Sequence, residues 1–98
     1  MHRNIGAKNC RKDISELARA VRAFSGGAQA ADFLRELLTP AEIENFALRW
    51  RLLKMLESGM PQRKIAKELS ISLCKITRGS RILKNKDSRT KQALRGLK

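Results

Sequence analysis

Residues 62–79 constrain this chain more than any other stretch. Counted from Gln62, the fourth, fifth, eighth, tenth and fifteenth positions are Ile65, Ala66, Leu69, Ile71 and Ile76. Two short helices crossing at a fixed angle need that set. The small Ala66 sits where the second helix passes closest, and the larger side chains hold the pair together. Ser70-Ile71-Ser72 interrupts the pattern. Ser70 takes the turn position commonly given to Gly, and Ser72 suits the N-cap of the second helix. An ordinary helical hairpin would need only the apolar spacing, but charge adds a second signal. Residues 60–98 hold twelve basic and two acidic residues, net +10, whereas residues 28–59 are net −1 and residues 1–27 net +4. Such an excess is more than solubility requires, and it favours nucleic acid as the partner.

The rest of the pattern is also helical. Asp13 with Glu16 three residues on reads as a capping box. Ile14, Leu17, Ala18, Val21 and Phe24 follow at helical spacing, and Gly26-Gly27 is the stop. A second helix covers about Gln29 to Leu38. Thr39, Pro40 and Glu42 form another capping box, opening a third helix that runs to about Ser58 and stops at Gly59. Its apolar stripe, from Ile43 through Phe46, Trp50 and Leu53 to Leu56, is widened by Leu48, Leu52 and Met55. The second helix of the 62–79 pair continues to about Lys84. After a polar turn, a short last helix takes in Ala93, Leu94 and Leu97. Residues 1–12 lack periodicity and carry Arg3, Lys8, Arg11 and Lys12. They read as a basic N-terminal arm, leaving residues 13–98 as one all-α domain with its helix-turn-helix at 62–84. No strand or internal repeat is expected.

Composition removes several functions. The 98 residues make one small domain, with a net charge of +13. No apolar run approaches the ~18 residues of a membrane span, and the N-terminus lacks the apolar stretch of a signal peptide. A soluble, cytoplasmic protein without membrane contact is expected. With no Tyr, one Trp and three Phe, a base-stacking RNA platform is disfavoured. His2, Cys10 and Cys74 do not make an ordinary zinc site, so no metal is expected. Both cysteines read as reduced, His2 as inert and Trp50 as core. No constellation supports acid–base or nucleophilic catalysis, so the chain does not read as an enzyme.

A DNA-reading helix-turn-helix enters the major groove by the N-terminal end of its second helix. That points Ser72, Leu73, Cys74, Lys75 and Thr77 at bases or their backbone. Gln62 and Arg63 open the first helix, where Arg63 reaches a guanine edge or a phosphate. Lys64, Lys67, Arg81 and Lys84 read as phosphate contacts. Leu73 and Cys74 suit thymine methyls or water-mediated readout. The apolar faces of the first three helices exceed what one such chain buries alone. This predicts a homodimer held by residues 13–58, with two reading helices about 34 Å apart on a near-palindromic double-stranded operator.

The run from Gln62-Arg63 through Ile76-Thr77-Arg78-Gly79-Ser80 to Leu83-Lys84 resembles the tryptophan operon repressor family. Leu38-Thr39-Pro40, Glu44 and Arg49-Trp50-Arg51 look like that family's earlier helices, and the similarity covers roughly residues 30–85. The resemblance implies an all-α intertwined homodimer that represses tryptophan biosynthesis or transport genes. It implies L-tryptophan as a non-covalent corepressor in a pocket beside the helix-turn-helix. Arg49 and Arg78 would stack on the indole, with Arg78 also meeting the carboxylate. Thr39 would supply a hydroxyl or carbonyl at the other side, and Gly79 would let the ring approach without a Cβ clash. Ile82 stands where the best-known members carry a Ser that helps hold the ammonium group. Pro61 replaces the usual hydroxyl cap. The stretch between Pro40 and Gln62 is one residue shorter than in those members, as in a related group of tryptophan-repressor-like regulators. The alternative is therefore a similar DNA-binding regulator with a different ligand or none. An architectural nucleoid protein held by charge alone is the reading from another class, and it would barely distinguish sequences.

Overall fold

The computed structural model describes residues 5–96. These residues form six helices and no strand: α1 (Ala7–Ala23), α2 (Gly27–Leu37), α3 (Pro40–Glu57), α4 (Gln62–Leu69), α5 (Leu73–Lys84) and α6 (Arg89–Gly96). His2 and Arg3 of the expected arm, and Leu97 of the last helix, lie outside the described residues. The chain divides into two compact units between Ile43 and Glu44, inside α3.

In the first unit, α1 begins at Ala7 rather than at Asp13, which corrects the reading of residues 7–12 as aperiodic. Lys8, Arg11 and Lys12 are good helix formers. The helix stops on its N-terminal side at Gly6, whose φ of 82° is left-handed. Asp13 is interior and caps nothing. The first turn is instead tied down by Asn9 Nδ2 donating to the Ile5 carbonyl at 3.0 Å. Leu17, Ala20 and Val21 of α1 are half-buried, as are Phe33 and Leu34 of α2. The Phe24 and Phe33 rings lie 5.4 Å apart in a tilted pair. Neither helix holds a fully buried side chain, and Ile14 and Leu37 remain 60% and 51% exposed. The start of α3 has the expected capping box. The Glu42 N–H donates to Thr39 Oγ1 at 3.2 Å, and the Thr39 N–H donates to Glu42 Oε1 at 2.8 Å.

In the second unit, neighbouring residues of α3 anchor two apolar clusters. Leu52 packs with Ile65 and Ile76, surrounded by Met55, Leu56, Met60, Ala66, Leu69 and Ile71. The five positions singled out by spacing thus gather in one cluster. Leu53 packs with Leu83 and Leu94, against Trp50 and Leu56, so α6 is docked by Leu94 and the Trp50 ring belongs to the core. α3 closes in a Schellman motif. Gly59 has φ 89°, its N–H donates to the Leu56 carbonyl at 3.0 Å, and the Met60 N–H donates to the Met55 carbonyl at 3.2 Å. α4 ends the same way without a glycine. Ser70 is left-handed at φ 52°, ψ 46°, and its N–H donates to the Ala66 carbonyl. The Lys75 N–H then donates to Ser72 Oγ at 3.4 Å, capping α5. Pro61 offers no side-chain cap to α4. Its carbonyl accepts from Lys64 and Ile65 at 3.0 and 3.1 Å instead.

Candidate functional site

α3 and α5 enclose a cleft of about 310 Å³. One wall is Asn45, Leu48, Arg49, Leu52 and Leu53. The other is Ile71, Lys75, Arg78, Gly79 and Ile82. The α3 set, and Lys75, Arg78, Gly79 and Ile82 of α5, recur every three or four residues as side chains on one face of a helix must, while Ile71 comes from the turn before α5. The floor is aliphatic, made by Leu48, Leu52, Leu53, Ile71 and Ile82. The rim carries three cations, Arg49, Lys75 and Arg78, and the Asn45 amide; no carboxylate lines the cleft. Among the described residues the one ion pair is Arg35 with Asp32, so no protein carboxylate neutralises the rim. An aliphatic floor beneath an unneutralised cationic rim has the chemistry to hold an apolar group together with an anionic one.

Three of the four residues expected around a ligand, Arg49, Arg78 and Gly79, line this one cleft. Thr39 belongs to the first unit, where its hydroxyl oxygen and N–H are both engaged with Glu42. The Arg49 guanidinium lies over the Phe46 ring, 6.0 Å from its centroid, at the outer reach of a cation–π contact. Gly79 is buried, and its missing Cβ faces the leucines of α3. A Cβ there would stand 3.1 Å from Leu56 Cδ1 and 3.4 Å from Leu53 Cδ2. The missing Cβ leaves room for the leucine side chains of α3 to reach the α5 backbone.

Every residue expected to face nucleic acid is exposed on the α4–α5 unit. Gln62, Arg63, Lys64, Lys67, Ser72, Leu73, Cys74, Lys75, Thr77, Arg81 and Lys84 are all exposed. Leu73, in the first turn of α5, is 50% exposed. The Thr77 hydroxyl donates back to the Leu73 carbonyl at 2.9 Å, so its proton is committed to the helix and its oxygen is left as an acceptor.

Lys75 belongs to both surfaces, since it is exposed on α5 and also lines the cleft. Sequence reasoning assigned it to nucleic acid alone and passed over Asn45 and Leu48. The signal was present as the stripe Ile71, Lys75, Arg78 and Ile82. Reading it required the pairing of α5 with α3, which spacing within one helix does not contain.

Residues 12–98 match the family model described as Trp repressor protein. Over 87 residues the chain is 32% identical to a Trp operon repressor homolog of Vibrio campbellii, covering 88% of this chain and 87% of that one. Over 66 residues it is 42% identical to a Trp operon repressor homolog of Actinobacillus succinogenes, covering 66% and 64% respectively. The Vibrio parahaemolyticus homolog is 31% identical over 85 residues, covering 86% and 82%. No solved structure matches.

Proposed function

Because the chain belongs to the Trp repressor family, we propose that it is a tryptophan-responsive, sequence-specific DNA-binding repressor acting as a homodimer in the cytoplasm. Members of that family are transcriptional regulators and not enzymes. The finer reading rests on one observation. The outward face of α5 is exposed and basic, while its inner face forms a wall of the cleft that holds Arg49, Arg78 and Gly79.

α4 and α5 are the reading head. Arg63, Lys75 and the first turn of α5 meet the major groove, and Lys64, Lys67, Arg81 and Lys84 meet phosphates. L-tryptophan fits the cleft by its indole against the aliphatic floor, with its carboxylate at Arg78 and the Arg49 guanidinium over the ring. A ligand there fixes the tilt of α5. It changes DNA affinity only through its different affinity for the competent and incompetent arrangements of that helix. The uncovered apolar side chains Ile14, Phe24 and Leu37 support burial against a second copy. Membership of the family supports genes of tryptophan biosynthesis or transport as the targets.

The test is operator affinity at fixed salt with and without saturating L-tryptophan, together with calorimetric titration. The expected coupling is about 5–150-fold. Equal affinities and no heat of binding would favour a regulator with another ligand or none. Ile82 supports that second reading, because it lines the cleft and offers no acceptor to an ammonium group. Sedimentation at micromolar concentration checks the dimer and should give about twice the chain mass.

A further inference from the structure

The helix α1, which is not part of the reading head, carries its own charge pattern. Lys8, Arg11, Lys12, Arg19 and Arg22 of α1 are all exposed. At 3.6 residues per turn they fall within about 100° of the helix circumference, with Ser15 near the middle. Asp13 and Glu16 fall outside that sector. The half-buried Leu17, Ala20 and Val21 lie on the opposite side, so burying the apolar side of α1 leaves the cations in solvent. None of the five takes part in the ion pair found among the described residues. We infer that this basic stripe of α1 is a second contact with duplex DNA, gripping its phosphate backbone without reading sequence.

The dimensions suit the partner. From Lys8 to Arg22 the stripe runs about 21 Å at 1.5 Å per residue, a length over which a duplex presents about a dozen phosphate charges. A lipid surface is the other polyanion a basic helix meets. It requires the helix's apolar face to enter the bilayer, and here Leu17, Ala20 and Val21 are half-buried in the fold instead. The contact lies outside the reading head, so it adds to affinity for every sequence equally.

The experiment uses the full chain and a random-sequence duplex, so no operator need be known. Affinity is measured across a salt series for the wild type and for the combined variant Lys8→Gln, Arg11→Gln, Arg19→Gln and Arg22→Gln. Gln keeps the helix, which circular dichroism verifies. Each lost phosphate contact should reduce the slope of log affinity against log salt by about 0.9. A reduction of at least two contacts' worth is expected, with affinity falling tenfold or more at low salt. A photo-reactive phenylalanine analogue at Ser15 should label the duplex more strongly than the same group at Asp13. An unchanged slope overturns the inference, as does equal labelling at the two positions. Absence of any wild-type affinity for duplex DNA would overturn the proposed function along with it.

Discussion

Gly79 of α5 and Leu56 of α3 touch so closely that a Cβ on the glycine would stand 3.1 Å from Leu56 Cδ1. A glycine inside a helix costs about 1 kcal/mol relative to alanine. Here the missing Cβ leaves room for the side chains of Leu52, Leu53 and Leu56 against the α5 backbone.

Gly79→Val should therefore lose about 1–3 kcal/mol through overpacking. Gly79→Ala should stay within about 1 kcal/mol of the wild type, because better helix propensity opposes the shift of Leu56. Urea unfolding of both variants checks this. A Val variant as stable as the wild type would show that α5 can move off α3 freely. Any ligand loss in the Val variant must be read beside its stability, since the substitution disturbs core and cleft together.

Ser70→Gly should stabilise the chain. Ser70 is the one non-glycine residue with positive φ among those described, and the left-handed conformation costs an L-residue roughly 1–2 kcal/mol. Glycine regains part of that and gives some back as chain entropy in the unfolded state. A net gain of about 0.5–1 kcal/mol is expected, visible as a rise of a few degrees in Tm. A lower Tm would contradict the assignment.

Thr39→Ala should cost about 1 kcal/mol by removing the acceptor for the Glu42 N–H. Thr39→Ser should recover most of it. If Thr39 acts only as a cap, the heat of L-tryptophan binding should survive in the alanine variant at temperatures where it remains folded. A lost isotherm in a folded variant would give Thr39 a part in ligand binding.

Arg63 and Arg78 should separate the two surfaces of the unit. Arg63→Ala should weaken DNA binding by about 1–3 kcal/mol if it reaches a base edge, and should leave the tryptophan isotherm unchanged. Arg78→Ala should weaken both. Titration calorimetry and operator binding on the same samples decide it. Loss of ligand binding in the Arg63 variant would place that side chain in the cleft.

What the sequence made legible was local. The Thr39–Glu42 box, the Ser72 cap and the stop at Gly59 each depend on residues within one turn, so spacing alone reveals them. The cluster around Ile65 and Ile76 was legible for the same reason, because two helices joined by a short turn have few ways to pack. Asp13 misled because an acidic residue followed three positions later by Glu occurs inside helices as well as at their starts. Only the backbone at Gly6 shows where α1 begins. Lys75 was half-legible. Its exposure follows from its place after Ser72, but its position in the cleft depends on how α3 crosses α5, which is set by Gly79 and the leucines it meets.

The leucines under the cleft have a consequence for how such a chain diversifies. Leu52 and Leu53 are at once the floor of the cleft and the anchors of both apolar clusters. A substitution that reshapes the floor for another molecule also opens a hole in the core, where truncating a buried leucine costs about 2–5 kcal/mol. A chain this small has little stability to lose. Any drift of the cleft toward another molecule is thereby confined to the exposed rim at Asn45, Arg49, Lys75 and Arg78. Descendants of this sequence should differ at those four positions long before they differ in what lies beneath them.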